Sequence, residues 1–232
     1  MTIIEQADPL DGAAGSAPAR RLVTLVFRKD ESIFLQGEAA GATYGVVSGA
    51  VRTCRYLADG RRQVLGFHLP GDLFGLQFGA THRCSAESIG LSRLRVLPRA
   101  ETLEAVLGPA AACAAIQLAM ARAEDLGVAL GKMLSHEKVA HFLLDLAGRY
   151  RSDRFRLVMV RQDLADHLGL TLETISRTTS LLERAGLIAF DAQRTEVHLL
   201  RRDALQRVAG GDPLPQPGLA RSRRVNPAEG MH

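Results

Sequence analysis

The sequence predicts an α+β chain in which the strands come first and the helices last. Three observations predict it. Short apolar runs separated by turn residues fill the stretch from Leu22 to about Leu97. A seven-residue apolar repeat follows from Pro109, and a helix-turn-helix pattern with a trailing hairpin occupies Arg161 to Leu199. At 232 residues, with 47% hydrophobic and 23% charged residues, the chain can form two compact domains joined by an interdomain element.

Residues 1–21 are small, polar and rich in Pro and Gly, and are expected to be a flexible tail. The next segment, 22–108, contains the runs Leu22–Phe27, Ser32–Leu35, Thr43–Val47, Ala50–Tyr56, Gln63–Phe67 and Leu91–Val96. Gly37, Ser48-Gly49, Asp59-Gly60 and Pro70-Gly71-Asp72 separate them, which is turn and hairpin chemistry. Strands recurring about every ten residues read as a small barrel or sandwich.

From 109 to 134 the period becomes helical. Ile116, Ala123 and Leu130 recur every seven residues, and Ala119, Leu126 and Met133 repeat three positions later, as in a heptad seam. Arg122, Glu124, Asp125 and Lys132 are expected to stay wet. Such a helix pairs with a second copy of itself; packing on its own β domain is the competing reading. Gly127 and Gly131 each cost about 1 kcal/mol of helix propensity but permit close backbone approach. Ser135-His136-Glu137-Lys138 opens another helix without a full capping box. Its apolar face holds Val139, Phe142, Leu143 and Leu146, it ends at Gly148, and a strand is expected over Phe155–Val160.

The segment 135–210 carries the most specific signal. Leu164, Ala165 and Leu168 give a short helix, Gly169 supplies a positive φ, Leu170 plugs the turn, and Thr171 can cap the next helix. Leu172, Ile175, Thr179 and Leu182 form the expected buried stripe of that second helix. Glu173, Ser176, Arg177 and Ser180 fall on another face, with Thr174 beside them. Arginine donates two hydrogen bonds to guanine O6 and N7, and glutamate accepts from cytosine N4, so this face suits a major groove. For an isolated helix, Glu173 and Arg177 would be read as a surface ion pair. Here Leu187–Phe190, Asp191–Arg194 and Thr195–Leu199 follow as strand, turn and strand, a wing. Double-stranded DNA is the partner this arrangement fits. Residues 211–232 lack any apolar period and are expected to be disordered.

Other function classes find less support. Net charge is +4 and pI about 9.3, and lysine occurs only at Lys29, Lys132 and Lys138; the arginine bias permits a polyanionic partner without requiring one. Cys54, Cys84 and Cys113 are widely spaced, with no CxxC and no metal-site spacing, so reduced thiols are expected. No apolar run reaches the roughly 20 residues of a membrane span, and the N-terminus lacks a basic region followed by an apolar stretch, so the cytoplasm is expected. No nucleophile–base pairing, phosphate loop or metal cluster suggests an enzyme, and His68 and His167 read as structural.

The run Arg161–Arg177, with Glu173-Thr174-Ile175-Ser176-Arg177, resembles the helix-turn-helix of the CRP/FNR superfamily, in its FNR/FixK branch. The likeness extends through Val139–Leu143 and Phe155–Met159, and through Gly66–Gly75, which is similar to the β-roll of those proteins; it spans residues 22 to about 200. It implies a jelly-roll-like β-roll sensor domain, a dimerisation helix and a winged DNA-binding domain. Glu173, Ser176 and Arg177 match residues that read a TTGA-type half-site. The resemblance also implies a homodimeric activator that works with RNA polymerase on low-oxygen or nitrogen-metabolism genes, nitrogen fixation among them.

Two departures bear on cofactors. No cysteine precedes Cys54, unlike the cluster-binding oxygen sensors, so an iron–sulfur cluster is not expected. Cyclic-nucleotide binders carry Gly-Glu and later Arg-Ser-Ala, whereas this chain has Gly75-Leu76 and Arg83-Cys84-Ser85-Ala86, so cAMP is not expected either. What remains is a sensor fold without evident sensor chemistry, for which the resemblance to the FixK branch implies control through the protein's own synthesis. Two alternatives stay open: a β-roll gated by a small molecule, and Cys84 as a redox thiol beside His82 and Arg83.

Overall fold

Positive-φ glycines set several strand ends in the N-terminal half, and the strands between them pair into two antiparallel sheets. The computed structural model describes residues 2–4, 23–76, 79–98 and 108–215. Contacts divide the chain into one unit of Met1–Ser135 with Leu157–Ile175 and a second of His136–Arg156 with Ser176–His232.

In the first unit the strands are β1 (Thr2–Ile4), β2 (Thr24–Phe27), β3 (Ser32–Phe34), β4 (Ala42–Ser48), β5 (Val51–Tyr56), β6 (Arg62–His68), β7 (Leu73–Phe74), β8 (Ser85–Ser88) and β9 (Ser92–Pro98). They form a five-stranded sheet, β1-β2-β9-β4-β7, and a four-stranded sheet, β3-β8-β5-β6. Phe27, Val46, Phe74 and Leu94 of the first sheet meet Phe34, Val51 and Ala86 of the second, closing a jelly-roll core.

Gly49 shows why one turn needs glycine. Its φ is +84°, and a Cβ there would stand 2.4 Å from Ser92 Oγ and 2.5 Å from Leu91 O. Ser92 Oγ is itself committed, accepting from Ala50 N at 3.1 Å and from Ser88 Oγ at 2.8 Å. Gly49→Ala is expected to destabilise the protein by roughly 2–4 kcal/mol in urea unfolding. A loss under about 0.5 kcal/mol would contradict this account.

Helix α1 (Pro109–Lys132) belongs to the same unit. The second unit contains α2 (Ser135–Tyr150, from its second residue), β10 (Arg154–Arg156), β11 (Ile188–Phe190), β12 (Glu196–Leu199) and α5 (Arg202–Ala209). Its sheet runs β10-β12-β11, and Leu143, Leu146, Leu182, Leu187, Ile188 and Leu205 fill its core. Between these elements lie α3 (Arg161–Leu168), in the first unit, and α4 (Leu172–Arg184), along which the chain passes from the first unit to the second after Ile175.

Four expectations are corrected. Thr2–Ile4, read as tail, adds an edge strand to β2, pairing Ile3 with Leu25; the rest of that tail outside 2–4 lies beyond the described residues. The strand expected over Phe155–Val160 stops at Arg156, because Val160 is already the residue that caps α3. The helix expected to end at Gly148 continues to Tyr150. Ser85–Ser88, absent from the expected strands although Ser85-Ala86 aligns with a ligand motif, is a ladder strand between β3 and β5. Most of the C-terminal tail, 216–232, also lies outside the described residues.

Candidate nucleic-acid interface

The turn between α3 and α4 is built by backbone chemistry. Gly169 closes α3 at φ 62°, ψ 41°, the left-handed region, with its N–H donating to Ala165 O. A Cβ at Gly169 would also stand 3.0 Å from Leu130 Cδ2, so both conformation and space favour glycine. Thr171 then caps α4, its Oγ1 accepting from Thr174 N at 3.1 Å and lying 2.9 Å from Thr174 Oγ1.

On α4, Ile175, Thr178, Thr179 and Leu182 are buried. Leu172, expected in that stripe, is 46% exposed because it lies in the first turn, ahead of where the buried face begins. Glu173 and Arg177 are exposed and Ser176 and Ser180 half-buried, and their i, i+3, i+4, i+7 spacing gives them one helix face. Thr171 is exposed and Thr174 half-buried at the start of the same helix. The six residues singled out from sequence therefore occupy the first three turns of one helix and its cap.

The hairpin β11–β12 is fixed at its tip. Asp191 Oδ1 accepts from Thr195 N at 2.6 Å and Glu196 N at 2.7 Å, and Oδ2 accepts from Thr195 Oγ1 at 3.0 Å. These hydrogen bonds, with the backbone N–H of Glu196 foremost, hold the Asp191 carboxyl below its ordinary range. Arg194, at φ 56°, forks onto Glu183 of α4 at 2.9 and 3.3 Å and stacks 4.4 Å over Phe190. Sequence reasoning missed this tie, although Arg194 and Glu183 are only eleven residues apart.

The residues of the expected heptad seam divide between the two sides of α1. Ile116, Leu126 and Met133 are half-buried, Ala112 and Ala129 are buried, and Arg122, expected wet, donates to Asp72 at 3.0 and 3.1 Å. That side of α1 faces its own unit. Ala119, Ala123 and Leu130 are exposed, and so are Met120 at 59% and Val128 at 54%. By helical spacing the open side is centred on Cys113, Met120 and Gly127.

Inside the β-roll, His82 stacks on Phe34 at 3.7 Å, and Tyr44 and His68 stack on Phe74 at 5.4 and 5.0 Å. Cys84 packs into this core while Arg83 is exposed. The segment that gives cyclic-nucleotide binders a guanidinium thus turns a thiol inward and its neighbouring arginine outward, which does not fit a phosphate. Among the described residues no cluster of His, Cys, Asp or Glu could hold a metal ion, and no helix is long and apolar enough to cross a membrane.

The redox proposal for Cys84 meets the same burial. Desolvation pushes its thiol up, whereas a reactive thiol needs a depressed pKa. Cys54 is also buried and is pushed up to about 12 by desolvation. Cys54 and Cys84 are buried, so a thiol reagent should label them only on unfolding, whereas Cys113 is exposed in the single chain. Between about pH 9 and 12 the unfolded chain loses the Cys54 proton while the folded chain keeps it. Stability should therefore fall as pH rises through that window, by up to about 1.4 kcal/mol per unit. Replacing Cys54 with Ala should flatten that slope in denaturant titrations; an unchanged slope would contradict the assignment.

Comparison with known proteins agrees with this architecture. Residues 137–208 match the Crp-like helix-turn-helix domain, and residues 24–107 the cyclic nucleotide-binding domain. The chain is 42% identical to the nitrogen fixation regulation protein FixK of Azorhizobium caulinodans, over 79% of this chain and 77% of that one. It is 38% identical to FixK of Rhizobium meliloti, over 87% and 92% respectively. The structure of FixK2 from Bradyrhizobium japonicum superposes with a TM-score of 0.76 at 38% identity, covering 83% of this chain and 99% of that one. Fold and site together define a transcription regulator with a helix-turn-helix and a β-roll, and the relatives carry regulators' names rather than enzymes'. The chain belongs to the CRP/FNR family, in its FixK-like branch.

Proposed function

We propose that the chain is a cytoplasmic, sequence-specific DNA-binding regulator that acts as a homodimer on a TTGA-type palindrome. The observation that carries this reading is the exposed Glu173 and Arg177, one turn apart on the helix that follows the Gly169 turn. Arg177 would donate to guanine and Glu173 accept from cytosine, with Ser176, Ser180, Thr171 and Thr174 as neighbouring contacts to bases and phosphates. Dimerisation would use the open side of α1. Gly127 and Gly131 support this, because in the single chain a Cβ at either would meet nothing within 4 Å. Two costly helix glycines with no internal reason suit a second backbone at close range.

The relatives named nitrogen fixation regulation protein support a role in regulating nitrogen-fixation genes, and the family resemblance implies activation of these or low-oxygen genes with RNA polymerase as partner. The filled ring stack around His82 and the inward Cys84 favour a β-roll that serves as scaffold rather than as a cAMP sensor. Selection of bound sites from random duplexes tests the reading. It should return a TTGA-type palindrome with half-sites about one helical turn apart. Recovery of no motif would overturn it.

A further inference from the structure

The first helix of the helix-turn-helix is held by the β-roll through charges that no helix-turn-helix needs. Asp163 of α3 has a side chain only 1% exposed. Its two oxygens accept from Arg52 of β5 at 3.1 Å and from Arg62 of β6 at 2.6 Å. Arg62 Nε also donates to Asp166 at 2.7 Å. Arg52 is oriented from behind by Glu87 of β8 at 2.9 Å and by Asp30 at 3.1 Å. Alongside, Gln63 Nε2 donates to His167 O at 3.0 Å, His167 Nδ1 donates to Val64 O at 3.0 Å, and its ring meets Phe67 edge-on at 5.1 Å. All of these residues belong to the first unit.

Buried ion pairs are weak contributors to stability, since desolvation offsets most of their attraction, and their best-attested use is to specify register and geometry. This one fixes an eight-residue helix whose C-terminal Gly169 leads, two residues on, into α4. The cluster leaves Thr171, Leu172 and Glu173 exposed, so it places the start of the base-reading helix rather than covering it. Arg52 and Arg62 have side chains 11% and 18% exposed and are turned to α3, out of reach of a phosphate.

We propose that Arg52 and Arg62 are positioning residues for DNA recognition, clamping α3 to the β5–β6 hairpin so that the β-roll sets where the recognition helix begins. The inference rests on the DNA-binding reading above. In CRP/FNR terms it gives the β-roll a task that needs no bound effector.

The test uses the full chain and the selected palindrome, with affinity followed by fluorescence anisotropy across a salt series. Arg62→Glu and Asp166→Arg should each bind roughly tenfold or more weakly, within the usual range of coupling between sites. The double variant, with the charges exchanged, should recover most of that loss. The dependence of affinity on salt should keep its wild-type slope throughout, because no phosphate contact is removed. If the reversals prevent folding, Arg62→Gln should lose affinity in a chain with native circular dichroism while Arg62→Lys retains most of it. Unchanged affinity in the folded single variants would overturn the proposal. So would a folded double variant that recovers nothing, or a slope shallower by about one for Arg62→Glu, which would make Arg62 a direct phosphate contact. A wild-type chain that binds no duplex would instead overturn the DNA-binding reading itself.

Discussion

Met120→Asp is expected to give a folded monomer that binds the palindrome on the order of a hundredfold more weakly than wild type. The Met120 side chain is 59% exposed on the side of α1 turned away from its own unit, so a carboxylate there disturbs no internal packing. At a helix–helix seam the same carboxylate would be desolvated against apolar neighbours and against its own copy. A monomer engages one half-site at a time, and the effective concentration that links the two halves is lost. Sedimentation velocity reads the outcome directly. An intact dimer at micromolar concentration would place the seam elsewhere on the chain. Leu126→Asp is a poorer probe, since Leu126 is half-buried on the inward side and its loss would confound assembly with folding.

Arg177→Ala should cost about 1–3 kcal/mol per half-site and relax selectivity at the contacted G·C pair. Arg177 is exposed in the second turn of α4, whose buried residues are Ile175, Thr178, Thr179 and Leu182, so the truncation leaves the helix's packing intact. A phosphate contact would weaken all sequences alike, whereas a base contact flattens one position of the selected motif. Repeating the site selection with the variant separates the two. An unchanged motif would remove Arg177 from the reading face.

The helix-turn-helix was legible because its determinants are local. Gly169 and Thr171 set the turn through their own backbone and the residues within four positions of them, and the spacing of Glu173 and Arg177 fixed their face. The phase of α1 was not legible. Alanine dominates its first turns, so two seven-residue repeats compete, and the choice was made by Arg122 reaching Asp72 fifty residues away. The clamp on α3 left no trace, because Arg52 and Arg62 stand more than a hundred residues from Asp163. β8 was hidden for another reason. Ser85, Glu87 and Ser88 are poor strand formers in isolation, and their place is set by pairing on both sides with β3 and β5.

The fastened tip of the hairpin has a consequence for how a duplex would be met. With Asp191 tying Thr195 and Glu196, and Arg194 locked between Glu183 and Phe190, the loop has already surrendered its backbone freedom within the folded chain. Ordering a loose loop costs about 1–2 kcal/mol per residue. Here that entropy is lost before association, so the wing enters a complex as a rigid edge, and loosening it by Arg194→Ala would transfer the cost to the binding step.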